Sequence, residues 1–223
     1  MAYDFDTIAA NYDRMNRLMT LGLDRCWRKR AVAGLQGKVL DVACGTGDMV
    51  EELAKQGCDV TGVDISKEML AIAKQKVEGG KWMVADAEHL SFEDNTFDAV
   101  TCAFGVRNFV HLEQGLGEML RVLKPCGTMA IQELATPDSI LIKPFYNLYT
   151  KHVIPLLGKR IAGNREAYTY LPESIERFPK GKEFIQIIER LGGRCSQRKL
   201  TFGVCRLYTI NKEAAVPERP LCH

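Results

Sequence analysis

An α/β fold built on a mostly parallel sheet is what this sequence predicts, and three observations predict it. Between about 38 and 134, short apolar runs alternate with stretches of helical period, the pattern of strands joined by crossover helices. Near the end, two strand-like runs are separated only by Thr201-Phe202, a link too short for a parallel crossover, so those two strands must run antiparallel. Between these parts lies a segment, roughly 138–178, rich in Ile, Leu, Phe and Tyr and too long for a simple connection. It reads as a helical insert.

The strand runs are KVLDVA (38–43), DVTGVD (59–64), KWMVAD (81–86), FDAVTCAF (97–104) and TMAIQEL (128–134), then GRCSQRKL (193–200) and GVCRLYTI (203–210). That makes seven strands, with one expected to run against the rest. Ser66 can cap a helix that carries Met69, Leu70, Ala73 and Val77 on one face. Leu116, Met119, Leu120 and Leu123 share a face of another helix, which Pro125 and Gly127 should stop at Lys124. A further helix spans 181–191, with Phe184, Ile187, Ile188 and Leu191 turned one way. The whole reads as a single domain over 1–211, followed by a tail, with Pro217 and Pro220, expected to be disordered.

The 223 residues hold 30 Lys plus Arg against 28 Asp plus Glu, a net charge of +2 that offers no basic surface for nucleic acid. The eight cysteines are scattered without a CxxC, so reduced cysteines and no metal site are expected. The opening MAYDFDTIAANYDR lacks the apolar core of a signal peptide, and no window supplies the ~18 apolar residues of a membrane span. A soluble, cytoplasmic protein is expected.

In an open α/β sheet, ligands gather outside the carboxyl ends of the strands. After the first strand the loop VLDVACGTGD (39–48) places Gly45, Thr46 and Gly47 before a helix, where backbone amides can approach a ligand closely. Asp64 ends the second strand, 17 residues past Gly47, placed to accept the two hydroxyls of a ribose, with Ile65 beside it. A dinucleotide fingerprint would need a third glycine where Val50 stands, and no Walker lysine follows the loop. Asp86 and Ala87, after the third strand, suit an adenine amino group and ring face. Together these positions point to S-adenosylmethionine. Asp41, a charge inside a strand, should bond either the loop amides or the cofactor's amino group.

The block FGVRN (104–108), followed by EMLRVLKPCG and YTYLPESIERFP, carries a resemblance that extends from FDTIAANYDRMNRLMTLGLDRCWR to LTFGVCRLY. In these residues the chain resembles the C-methyltransferases of menaquinone and ubiquinone biosynthesis, which have the Rossmann-like class I methyltransferase fold. That resemblance implies cofactor contacts at Thr46, Asp64, Asp86 and Ala87. Cys126 departs from an expected Gly-Gly pair, Ser91 from a proline, and Ala103 from a common serine, so a contact at Ala103 would have to come from its backbone.

The same resemblance implies transfer of a sulfonium methyl to a ring carbon of a polyprenyl quinol, demethylmenaquinol or a benzoquinol of ubiquinone synthesis. Such chemistry needs an anion-stabilising group facing the ring and exclusion of water. Arg107 and Asn108, just past the fourth strand, are the candidates, with Tyr12 able to close over the sulfonium. The insert, with Phe145, Tyr146, Leu148 and Tyr149 among lysines, reads as a lid for an apolar tail or as a peripheral membrane contact through 138–160. An O- or N-methyltransferase with the same cofactor half, or a silent subunit of this fold, are the competing readings.

Overall fold

The structure, a computed structural model of the chain, describes residues 6–153 and 166–213. Its strands are β1 (Lys38–Val42), β2 (Asp59–Asp64), β3 (Lys81–Val84), β4 (Phe97–Ala103), β5 (Leu123–Leu134), β6 (Gly193–Leu200) and β7 (Cys205–Lys212). They form one sheet in the order β3-β2-β1-β4-β5-β7-β6, with β7 antiparallel to both of its neighbours and every other pairing parallel. The arrangement is the seven-stranded, Rossmann-like sheet expected from the sequence.

Helices cover both faces, which is why the central strands are continuous apolar runs. On one face α2 (Leu23–Val32) and α3 (Asp48–Ala54) pack Trp27, Val32, Val50 and Leu53 against Val39 and Ala99. On the other, α5 (Leu112–Val122) brings Leu116 and Met119 onto Leu40, Val100 and Ile131. A helix later in the chain (Lys182–Arg190) adds Phe184 and Ile188 to that face. The intervening α4 (Lys67–Lys76) starts at Ser66, whose hydroxyl accepts the Met69 N–H at 3.0 Å, as its sequence suggested.

Several boundaries differ from the sequence reading. The α5 helix stops at Val122, two residues short of Lys124, because Leu123 is already extended and pairs with Phe97. Pro125, Cys126 and Gly127 then form an irregularity inside β5, and Cys126 adopts the left-handed φ of 62°. That backbone is the physical reason the resemblance expects glycine there. The first strand ends at Val42 and the third at Val84, where the chain bends into loops. Phe104 is outside β4 with a left-handed φ of 60°. The closing hairpin turns through Thr201 and Phe202, also left-handed, and β7 runs on to Lys212.

The insert holds α6 (Lys143–Leu148), a π-helical turn over Tyr149–Val153, and α7 (Glu166–Arg177), with Pro172 inside α7. Tyr149 ties it to the N-terminal helix α1 (Tyr12–Met19) by donating to the Leu18 carbonyl at 3.1 Å. The expected disorder after Asn211 concerns a tail that lies, from 214 onward, outside the described residues, as do 154–165 of the insert. Among the described residues no helix is long and apolar enough to cross a membrane.

Candidate active site

Strand order reverses between β1 and β4, so the crevice opens where the carboxyl ends of these two strands diverge. A cavity of about 170 Å³ lies there. Gly45 from the first loop, Asp64 and Ile65 at the end of β2, Asp86 and Ala87 after β3, and Ala103 at the end of β4 all line it. Tyr12, Phe104 and Asn108 are also on its wall.

The polar geometry fits a ribose bearing a purine. The Asp64 Oδ2 accepts the Gly45 N–H at 2.8 Å and Oδ1 accepts the Ser66 N–H at 2.9 Å, so two backbone amides fix the carboxylate while each oxygen keeps a further lone pair. Burial raises the Asp64 pKa, and those amides pull it back. Ile65 is 67% exposed on the cavity wall, an apolar face for a ring to cover. The Asp86 Oδ1 caps its own turn by accepting the Glu88 N–H at 2.9 Å. Tyr12 stacks its edge near Gly45, where an added Cβ would meet the ring at 3.9 Å.

Other residues of the motif do not face this cavity. Gly47 has φ 82° and is packed, since a Cβ there would stand 2.9 Å from the Trp82 ring. The Thr46 hydroxyl turns away to donate to Asp13 on α1, and Asp13 also pairs with Lys76 of α4 at 2.8 Å. Lys76 bridges on to Asp48, which meets Arg28 of α2 at 3.3 Å. The first loop is thus locked to the N-terminal helices by charge. Asp41 takes its hydrogen bond from within the sheet instead of from the loop amides: Thr101 donates to its Oδ1 at 2.6 Å.

A second, larger cavity of about 310 Å³ lies beyond Phe104, which lines both. Its walls are mostly apolar and come from far-separated parts of the chain: Met19 and Leu23 near the start, Phe145, Tyr149 and Ile175 in the insert, Val204 in the last hairpin. Arg107 borders this cavity, whereas Asn108 borders the smaller one. The Arg107 Nη1 pairs with Glu133 at 2.7 Å and donates to the Phe104 carbonyl at 2.6 Å. The pair is almost wholly buried, at 7% and 1% exposure. The sequence signal for Glu133 is a lone acid within the strand run TMAIQEL.

The model of the ubiE/COQ5 methyltransferase family matches residues 2–212. The chain belongs to the ubiE/COQ5 methyltransferase family. It is 43% identical over 223 residues to the demethylmenaquinone methyltransferase of Bacteroides fragilis, covering 93% of this chain and 90% of that one. The ubiquinone/menaquinone biosynthesis C-methyltransferase UbiE of Geobacter sulfurreducens is 43% identical over 222 residues, covering 93% and 86%. Among solved structures, the complex of the Haloferax volcanii Trm112 methyltransferase activator with a methyltransferase aligns at a TM-score of 0.68 and 19% identity, over 96% of this chain and 100% of that one, and shows the shared fold. As a member of the ubiE/COQ5 family this chain is an enzyme that draws its methyl group from S-adenosylmethionine. The Asp64, Ile65 and Asp86 wall suits that donor's ribose and adenine.

Proposed function

We propose that this enzyme methylates a ring carbon of a polyprenyl hydroquinone, converting demethylmenaquinol to menaquinol. The observation that carries the reading is the meeting of two cavities at Phe104, one with nucleoside-binding chemistry and one apolar, with Arg107 on the wall of the apolar one. The names of the relatives favour the same substrate class.

In this reading Asp64 holds the ribose hydroxyls, Ile65 and Ala87 sandwich the adenine, and Asp86 meets its amino group. The backbone of Gly45 through Gly47 and of Ala103 surrounds the amino-acid portion, with Thr46 and Asp41 stiffening the loop and strand behind it. When bound, the donor supplies an electrophilic methyl group on a sulfonium. A quinol carbon becomes nucleophilic once a neighbouring hydroxyl ionises. Arg107 stays charged at any working pH and stabilises that ring oxygen, so the proton is given up at lower cost. Asn108, whose side chain donates to the Phe104 carbonyl at 3.3 Å, orients the ring at the junction of the cavities. Tyr12 closes the donor side, its face available to a cation. Phe104 and the apolar walls keep water from the reacting carbon.

The apolar cavity takes the start of the prenyl tail, and its mouth is ringed by exposed apolar side chains: Leu21, Phe145 and Phe202 line the cavity, while Ile140 and Leu141 stand beside it. Such a rim suits peripheral contact with a lipid surface, from which a polyprenyl quinol would be drawn.

The test is incubation of the enzyme with methyl-labelled S-adenosylmethionine and a reduced, short-tailed demethylmenaquinol, alongside the matching benzoquinol. Label is expected on a ring carbon of the naphthoquinol. Label on oxygen overturns the reading, and titration with S-adenosylhomocysteine that releases no heat would leave a silent subunit in its place.

A further inference from the structure

Glu133 lies one residue from the end of β5, on a sheet face otherwise filled by Met129 and Ile131. A carboxylate there is costly unless a charge and hydrogen bonds meet it. The Leu134 N–H donates to Oε2 at 3.2 Å, and the rest comes from one short segment. The Oε2 accepts from Arg107 Nη1 at 2.7 Å, and Oε1 accepts the Arg107 backbone N–H at 3.3 Å. Glu133 therefore grips Arg107 by both side chain and backbone, while the Phe104 carbonyl takes a second hydrogen bond from the same Nη1 at 2.6 Å.

Stability alone does not demand this pair, because a buried ion pair is often no better than apolar residues of equal volume. Its place is what matters: Arg107 and Glu176 are the charged residues lining the apolar cavity. We propose that Glu133 is a positioning residue for methyl transfer, setting both the orientation and the effective charge with which Arg107 meets the ionising ring oxygen. The proposal rests on the quinol reading above.

The groups packed around the pair leave its charge in control. Tyr12 and Tyr146 face Arg107, and burial raises the pKa of both phenols, so they stay neutral near neutral pH. Glu176 faces Tyr146. Cys102, Cys205 and Tyr208 face Glu133, and burial raises each of them as well. Burial also pushes the Glu133 carboxyl upward, and the adjacent Arg107 guanidinium, at 2.7 Å, opposes that push.

Two variants separate positioning from mere packing. Glu133→Gln keeps an acceptor in place and removes one negative charge, so Arg107 meets the ring oxygen without the compensation of that carboxylate. The acid limb of kcat against pH should then move down by about one unit. Glu133→Asp keeps the charge but withdraws it by a methylene. Its limb should stay where it is while kcat falls about tenfold or more, as misplacement of a catalytic group predicts. In both, the Kd for S-adenosylhomocysteine should stay within about twofold, since Glu133 does not line that cavity. A Gln variant with the wild-type limb overturns the proposal. Should that variant not fold, the Asp variant decides, and wild-type kcat in it overturns the proposal equally. Wild-type enzyme that leaves no label on the quinol ring removes the substrate reading itself, and the role of Glu133 falls with it.

Discussion

Asp41 shows how much one side chain can carry. It is buried within β1, with Thr101 donating to Oδ1 and no hydrogen-bond partner at Oδ2. Burial is the largest influence and, against Thr101 and Arg28, pushes its pKa up to about 7. An unfolded aspartate titrates near ~3.9. The fold therefore favours the protonated acid, so this contribution to stability is intact below about pH 4, declines as the pH rises, and is gone above about 7. Asp41→Asn should match wild type near pH 4 and exceed it at pH 8 by on the order of 2–4 kcal/mol. Denaturant unfolding across that range measures the difference. A gap between the two proteins that does not change with pH would refute the assignment.

At the scale of elements, the first loop is held from below by packing and from the side by charge. Gly47 satisfies two demands at once, a φ of 82° and a Trp82 ring 2.9 Å from where a Cβ would stand, with the Ala73 Cβ at 3.2 Å. Gly47→Ala is therefore expected to cost about 2 kcal/mol or more, through strain and overpacking together. By moving the loop it should also weaken S-adenosylhomocysteine binding severalfold. Gly117 in α5 is the control: it has no atom within 4 Å of an added Cβ. Gly117→Ala should gain about 0.5–1 kcal/mol of stability without touching affinity. Thermal unfolding and calorimetric titration of the pair distinguish a packed glycine from a tolerated one. Equal behaviour of the two variants would show that the loop is not held in this way.

For the molecule as a whole, the insert decides what the cofactor crevice can serve. It roofs a cavity whose floor is the end of β5 and the start of β7, near Leu134 and Val204, and whose far wall is α1 and α2. The mouth is bordered by Leu21 at 72%, Phe145 at 73% and Phe202 at 75% exposure, from three separate stretches of chain. Two of these, Leu21 and Phe202, sit at left-handed φ values of 53° and 56°, so tight turns present them outward. Wild-type protein should float with anionic vesicles, and the double variant Phe145→Glu with Phe202→Glu should not. That variant should retain activity on a short-tailed, water-soluble quinol. Flotation unaffected by the two charges would rule out this rim as the contact.

Much of the sheet could be read from local pattern, because apolar period, glycine and helix caps act over a few residues. DVTGVD and GRCSQRKL appear with the bounds given to these strand-like runs, and Ser66 caps its helix as its hydroxyl allowed. Gly45, Asp64, Ile65, Asp86, Ala87 and Ala103 converge on one cavity because they follow successive parallel strands, a consequence of chain direction alone. What local pattern could not disclose was which way Thr46 and Gly47 turn and what holds Arg107. Thr46 meets Asp13 across 33 residues, and Arg107 meets Glu133 across 26. Those partners are chosen by how β4, β5 and the N-terminal helices come together, and a buried charge finds its counter-charge only once that packing exists.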